Sequence, residues 1–258
     1  VALPEFDSMS LQDDTYITSE IENRTWPSRA VETQKLSRRP GAKFVSDEFG
    51  ERRIKMSGWI KGSSLSDLQT KIDTMNNVLQ RPSKLLQIYS GRFYTATAVS
   101  VAIGDTHYNQ SIVPYEVEFL CADPFAYGTT VNASMTVTSG TIIQTYNITI
   151  AGSYFAEPIF TYTPPAGTGN TTTSGFKVVD MTTAEYVMWS GTGSSLYIPY
   201  GSFFQVDYQY YKTLLGTTQV NQAGVFSRWE PGNHTVQVTY MGNTVGGTFS
   251  MSYAPRYL

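Results

Sequence analysis

Leu65, Leu68, Ile72, Met75 and Leu79 recur in steps of three and four, which places them on one face of a helix. Ser64 can cap its start, Asp67 and Lys71 form a pair four residues apart, and Pro82 ends it because the residue before a proline leaves α geometry. The spacing predicts one amphipathic helix over about residues 64–81. Val113, Tyr115, Val117, Phe119 and Cys121 instead alternate with Glu116 and Glu118, the period of a half-buried strand. A helix with one apolar face needs a sheet to lie on. Strands are expected at Arg53 to Lys61, Lys84 to Tyr89 and Arg92 to Ile103, the last two around a Ser90 and Gly91 turn, so this half reads as α+β.

After Gly128 no helical period recurs. Short runs rich in β-branched and aromatic residues stand between turn signals at Ile142 to Ile150, Ile159 to Tyr162, Lys177 to Asp180, Ser195 to Ile198, Phe203 to Tyr208, His234 to Met241 and Thr248 to Tyr253. Thr168 to Gly175, made mostly of Thr, Gly and Asn, reads as a loop. Regular short strands without helices predict a β-sandwich or jelly roll.

Charge divides the chain at the same place: 30 of its 39 charged side chains precede Thr129. The expectation is a mainly β protein of two domains, residues 1–130 and 131–258. The net charge of −3 over 258 residues leaves no basic surplus with which to hold nucleic acid. No run of about 18 apolar residues suggests a membrane span, and Val1 to Asp7 lacks the basic and apolar parts of a signal peptide. With Cys121 as the sole cysteine, an intrachain disulfide and a cysteine-based zinc site are both excluded.

Candidate chemistry is sparse. His107 and His234 stand in different halves and read as surface histidines. Glu116 and Glu118 share one strand face about 7 Å apart, near the lower limit for an inverting glycosidase pair, yet a solvated face or a surface meeting a neighbouring subunit is the stronger reading. Asp13 and Asp14, and the loop acids Asp47, Glu48 and Glu51, lack the spacing of a calcium loop. Lys35, Arg38 and Arg39 form the one basic cluster, suited to an acidic neighbour or a self-contact. Cys121 falls on the apolar face of its strand, as a small core hydrophobe does. Trp189, Trp229 and the aromatics Tyr208, Tyr210 and Tyr211 are candidates for stacking on sugar rings, with core filling as the competing role. No nucleotide-binding, metalloprotease or catalytic-triad pattern occurs, so no catalytic residue, metal or cofactor is expected.

Three stretches of the first half stand in a telling order: GERRIKMSGWIKG from Gly50 to Gly62, KLLQIYSG from Lys84 to Gly91 after the helix, and YEVEFLCADPFAYG from Tyr115 to Gly128. In the second half follow Glu157 to Ile159, Phe204 to Asp207, Phe226, the EPGN of Glu230 to Asn233, and the YAPRYL of Tyr253 to Leu258. This succession resembles the distal tail (Dit) proteins of long-tailed bacteriophages over nearly the whole chain. One departure is the stretch from Pro40 and Gly41 to Gly50, where the family has a short hairpin.

The resemblance implies an N-terminal α+β, tail-tube-like, ring-forming domain followed by a C-terminal galectin-like β-sandwich. It implies a non-enzymatic protein of the virion's tail tip, assembled in the host cytoplasm. The expected partners are further copies of itself in a hexameric ring, the tail tube protein above, and the tail hub, tape-measure and receptor-binding components below. DNA would pass through the bore without specific binding, and the loop of Asp47, Glu48 and Glu51 is a candidate for the lumen wall. The alternative reading is a carbohydrate-binding, lectin-like β-sandwich protein using Trp189 and Trp229.

Overall fold

The computed structural model describes residues 4–23, 26–35, 40–105, 111–191, 197–242 and 245–258. The chain divides into two compact units, Val1–Tyr127 and Gly128–Tyr257.

The first unit opens with β1 (Glu5–Phe6) and β2 (Met9–Ser10), a hairpin whose turn residues Asp7 and Ser8 both have positive φ, as a twist-matched two-residue turn requires. Next come β3 (Tyr16–Glu22), β4 (Arg29–Lys35), β5 (Ala42–Phe49), β6 (Arg52–Lys61), α1 (Leu65–Leu79), β7 (Lys84–Tyr89), β8 (Arg92–Ile103), β9 (Ile112–Cys121) and β10 (Ala126–Gly128). The main sheet runs β2-β1-β7-β8-β9-β6-β3. β4 and β5 stand apart as a two-stranded sheet.

The alternation along β6 and β9 buries Ile54, Met56, Ile60, Val113, Tyr115, Val117 and Phe119 and turns Arg53, Lys55, Glu116 and Glu118 outward. Leu68, Ile72, Met75 and Leu79 of α1 are buried, whereas Leu65 is 48% exposed. Leu65 belongs to the first turn, where the helix has barely begun to meet its neighbours. The Ser64 hydroxyl accepts from the Asp67 amide at 3.2 Å, and Asp67 pairs with Lys71 at 3.0 Å. Gly58 on β6 is set by close approach: a Cβ there would stand 2.1 Å from the Ile17 carbonyl oxygen, beside the bulge that bends β3 between Thr18 and Glu20.

The second unit comprises β11 (Val131–Val137), β12 (Ile143–Ile150), β13 (Ile159–Thr163), β14 (Thr173–Asp180), β15 (Tyr186–Ser190), β16 (Phe204–Asp207), β17 (Lys212–Leu215), β18 (Thr218–Val220), β19 (Ala223–Gly224), β20 (Gly232–Gly242), β21 (Gly247–Tyr253) and β22 (Arg256–Tyr257). Strands β11 to β21 form one six-stranded sheet, β11-β21-β13-β16-β17-β18, and one five-stranded sheet, β12-β20-β14-β15-β19. A single aromatic core lies between them. Phe176 of the second sheet meets Tyr162, Phe204 and Phe249 of the first, and Trp189 stacks on Phe204 at 5.1 Å. The protein is therefore mainly β, with one helix among the described residues, and this unit is a β-sandwich.

Two sequence expectations are corrected. Thr173 to Gly175 open β14 instead of closing a loop, because their backbone pairs with Met241, Gly242 and Ser190. Of the run Ser195 to Ile198, residues 195 and 196 lie outside the described residues, and Tyr197 and Ile198 belong to no extended strand. Among the described residues no helix is long and apolar enough to cross a membrane.

Candidate assembly surfaces

The β4–β5 hairpin carries apolar residues among its charges. Its register puts Arg29, Val31, Thr33, Lys35, Ala42, Phe44, Asp47 and Phe49 on one face and Ala30, Glu32, Gln34, Lys43, Ser46 and Glu48 on the other. Phe44 is 56% exposed, and Val31 and Val45 are exposed with it. At the base of the hairpin Phe49 packs on Trp26 and Phe125, with the Arg29 guanidinium 5.5 Å from its ring. An isolated two-stranded ribbon is marginal in water. Val31 and Phe44 form an exposed apolar patch on a mixed face, and among the described residues no element covers it.

Asp47 and Glu48 lie on β5 and not in a loop, because seven register pairs with β4 hold that segment extended. Asp47 is ion-paired with Arg29. Glu51 follows the hairpin and bonds the Arg53 guanidinium at 2.9 Å, which in turn reaches Glu118 at 3.0 Å. The basic cluster is only partly described: Lys35 ends β4, and Arg38 and Arg39 lie outside the described residues, as does His107.

A second surface is the outward face of β3, β6 and β9. Glu20, Glu22, Lys55, Ser57 and Glu116 line one shallow groove, and Trp59, Ile103 and Pro114 line another beside it. Glu116 and Glu118 share this face, and Glu118 is engaged by Arg53, so the pair is part of a mixed-charge sheet surface.

Trp189 and Trp229 have no face open to a sugar ring: they are 3% and 0% exposed, within the sandwich core. Tyr208 is buried beside Trp229, and desolvation pushes its phenol well above the ordinary range. Tyr210 and Tyr211 remain exposed. His234 is buried on β20, a correction to its reading as a surface residue. Its Nδ1 lies 3.0 Å from Asp180 Oδ2 and its Nε2 2.7 Å from the Glu230 carbonyl oxygen. The period-two run His234, Val236, Val238, Tyr240 carried that signal, since all four share the inward face.

Cys121 is buried, and desolvation pushes its thiol up to about 12, which keeps it protonated and unreactive. Arg52, its register partner on β6, is also buried, with Nη1 3.3 Å from both the Asn23 carbonyl oxygen and the Tyr94 hydroxyl. Among the described residues no group of three or more His, Cys, Asp or Glu could hold a metal ion.

Residues 5–121, most of the first unit, match the family model of the phage tail protein RIFT-related domain. Across both units the chain has the fold of the Dit (gp 19.1) protein of phage SPP1, described as a paradigm of the hub adsorption apparatus in phages infecting Gram-positive bacteria. That match has a TM-score of 0.70 at 14% identity and covers 99% of each chain. Two structures of the phage P2 baseplate in its activated conformation, with Ca and with Sr, match at TM-scores of 0.45 and 0.43. Their identities are 12% and 11%, over 95% and 93% of this chain and 91% of theirs. No curated protein matches the sequence. The resemblance to distal tail proteins drawn from the motifs thus agrees with both the family model and the fold.

Proposed function

We propose that this chain is a structural component of a phage tail tip, forming a ring that joins the tail tube to the host-attachment apparatus and lets DNA pass. The observation that carries this reading is the correspondence of both units, in order and over their full length, to a phage hub protein. The first unit builds the ring, hexameric as in the resemblance drawn from the sequence. The exposed patch of Val31 and Phe44 on the β4–β5 hairpin packs on the adjacent copy, where burying it removes apolar surface from water. Asp47, Glu48 and Glu51 are proposed to contribute to an acidic or neutral bore, because a basic wall would retain phosphates through counterion release. No catalytic step is assigned.

The lectin-like alternative loses support from the burial of Trp189 and Trp229. Mass photometry tests the ring: the expected species is a closed multiple of 28.7 kDa, and Phe44→Lys reduces it to a folded monomer. A monomer both alone and with co-expressed tail neighbours would refute the ring.

A further inference from the structure

The two sheets of the sandwich end differently on their two sides. On one side the last strands are β18 and β19, three and two residues long. On the other they are β11 and β12, seven and eight residues long. The two long strands lie on the same side: Tyr146 of β12 stacks on Phe249 of β21, the inner neighbour of β11. Each pairs with its inner neighbour in an unbroken register, without bulge or proline. No charged residue occurs from Thr129 to Ala156, and Ile142 and Ile143 are exposed at the start of β12.

Edge strands are ordinarily blunted by shortness, charge, proline or bulges, since every second residue offers an unpaired N–H and C=O to any passing strand. This protein uses such devices elsewhere. β18 and β19 are short, and the β3 edge carries Glu20, Glu22 and a bulge. β11 and β12 show none of them, and among the described residues no strand pairs with their outer edges.

We infer that the β11/β12 side of the sandwich is a strand-docking edge that takes an extended, uncharged segment of a different tail protein by β-augmentation. A second copy of this chain fits poorly. Its β18 and β19 are too short to match eight residues, and β3, β4 and β5 bring charges for which β12 has no counter-charge. That leaves the second copy's own β11 and β12, and pairing these same edges between two copies would give a closed two-fold pair, not the head-to-tail contact of a ring.

The inference rests on the tail-tip reading, and its test separates the two. Hydrogen exchange of Ile143–Ile150 is compared between the isolated protein and purified tails, with slowing of the outward amides by about tenfold or more expected in tails. Ile143→Lys with Thr145→Lys, both on the outer face, should leave the fold and this chain's copy number intact while one other tail protein is lost. Gln219→Lys on β18 should lose none. Equal exchange in both states, full composition in the double variant, or protection arising in a two-copy species of the isolated chain would each overturn the docking edge alone. Absence of the chain from tails would overturn both readings.

Discussion

Asp180 and His234 meet inside the sandwich, Oδ2 to Nδ1 at 3.0 Å, with the other Asp180 oxygen accepting from the Thr182 amide at 2.9 Å. The contact links the end of β14 to the start of β20. Truncating a group in a buried pair strands its partner, so Asp180→Ala should cost about 3 kcal/mol in chemical denaturation. Asp180→Asn, which keeps an acceptor for Thr182, should cost less. Equal losses in the two variants would mean that bulk, not hydrogen bonding, matters at this position.

Gly58→Ala should destabilise the first unit by about 2 kcal/mol, because the added carbon must push against the Ile17 carbonyl and the Tyr115 ring. The measurement is a thermal melt together with exchange at β3, where the strand should loosen first.

The helix start carries a pH dependence of known sign. The Ser63 amide holds Asp67 at about 2, with Lys71 and the Ser63 hydroxyl adding to the effect. A carboxylate whose folded value is depressed stabilises the fold above its unfolded value near ~3.9, and that contribution disappears as pH falls towards 2. Asp67→Asn should therefore flatten the loss of stability between about pH 4 and pH 2 seen in titrated melts. Ser64→Ala should cost about 1 kcal/mol at neutral pH.

Trp189→Ala and Trp229→Ala should each destabilise the sandwich by about 3–5 kcal/mol as large-to-small core changes. Glycan arrays should show no loss specific to either variant. Selective loss of a glycan signal in a variant that melts like the parent would return these residues to a binding role.

The helix and the strands of the first sheet were legible because their periods are local: Ile54 and Met56, or Leu68 and Ile72, declare a face within a few residues. The β4–β5 hairpin was not. Charges and polar residues interrupt it, its strands leave most of their side chains exposed, and the acids of β5 resemble those of a loop. The fate of the aromatics was equally hidden. Trp189 is core because Phe204 of the opposite sheet covers it, a contact between residues whose pairing no local pattern announces. Tyr210 and Tyr211, two and three residues after the buried Tyr208, project from the β16–β17 turn instead.

β8 gives the first unit a mechanical property. Its residues Arg92–Ala96 pair with β7 and its residues from Thr97 onward pair with β9, so no residue of the strand serves both ladders. The two ladders meet end to end along β8 between Ala96 and Thr97, and Phe6 of β1 packs on Phe119 of β9 at 5.0 Å across the two wings of the sheet. Tension drawn along β8 would load each ladder in shear, where many hydrogen bonds yield together, instead of unzipping them one by one.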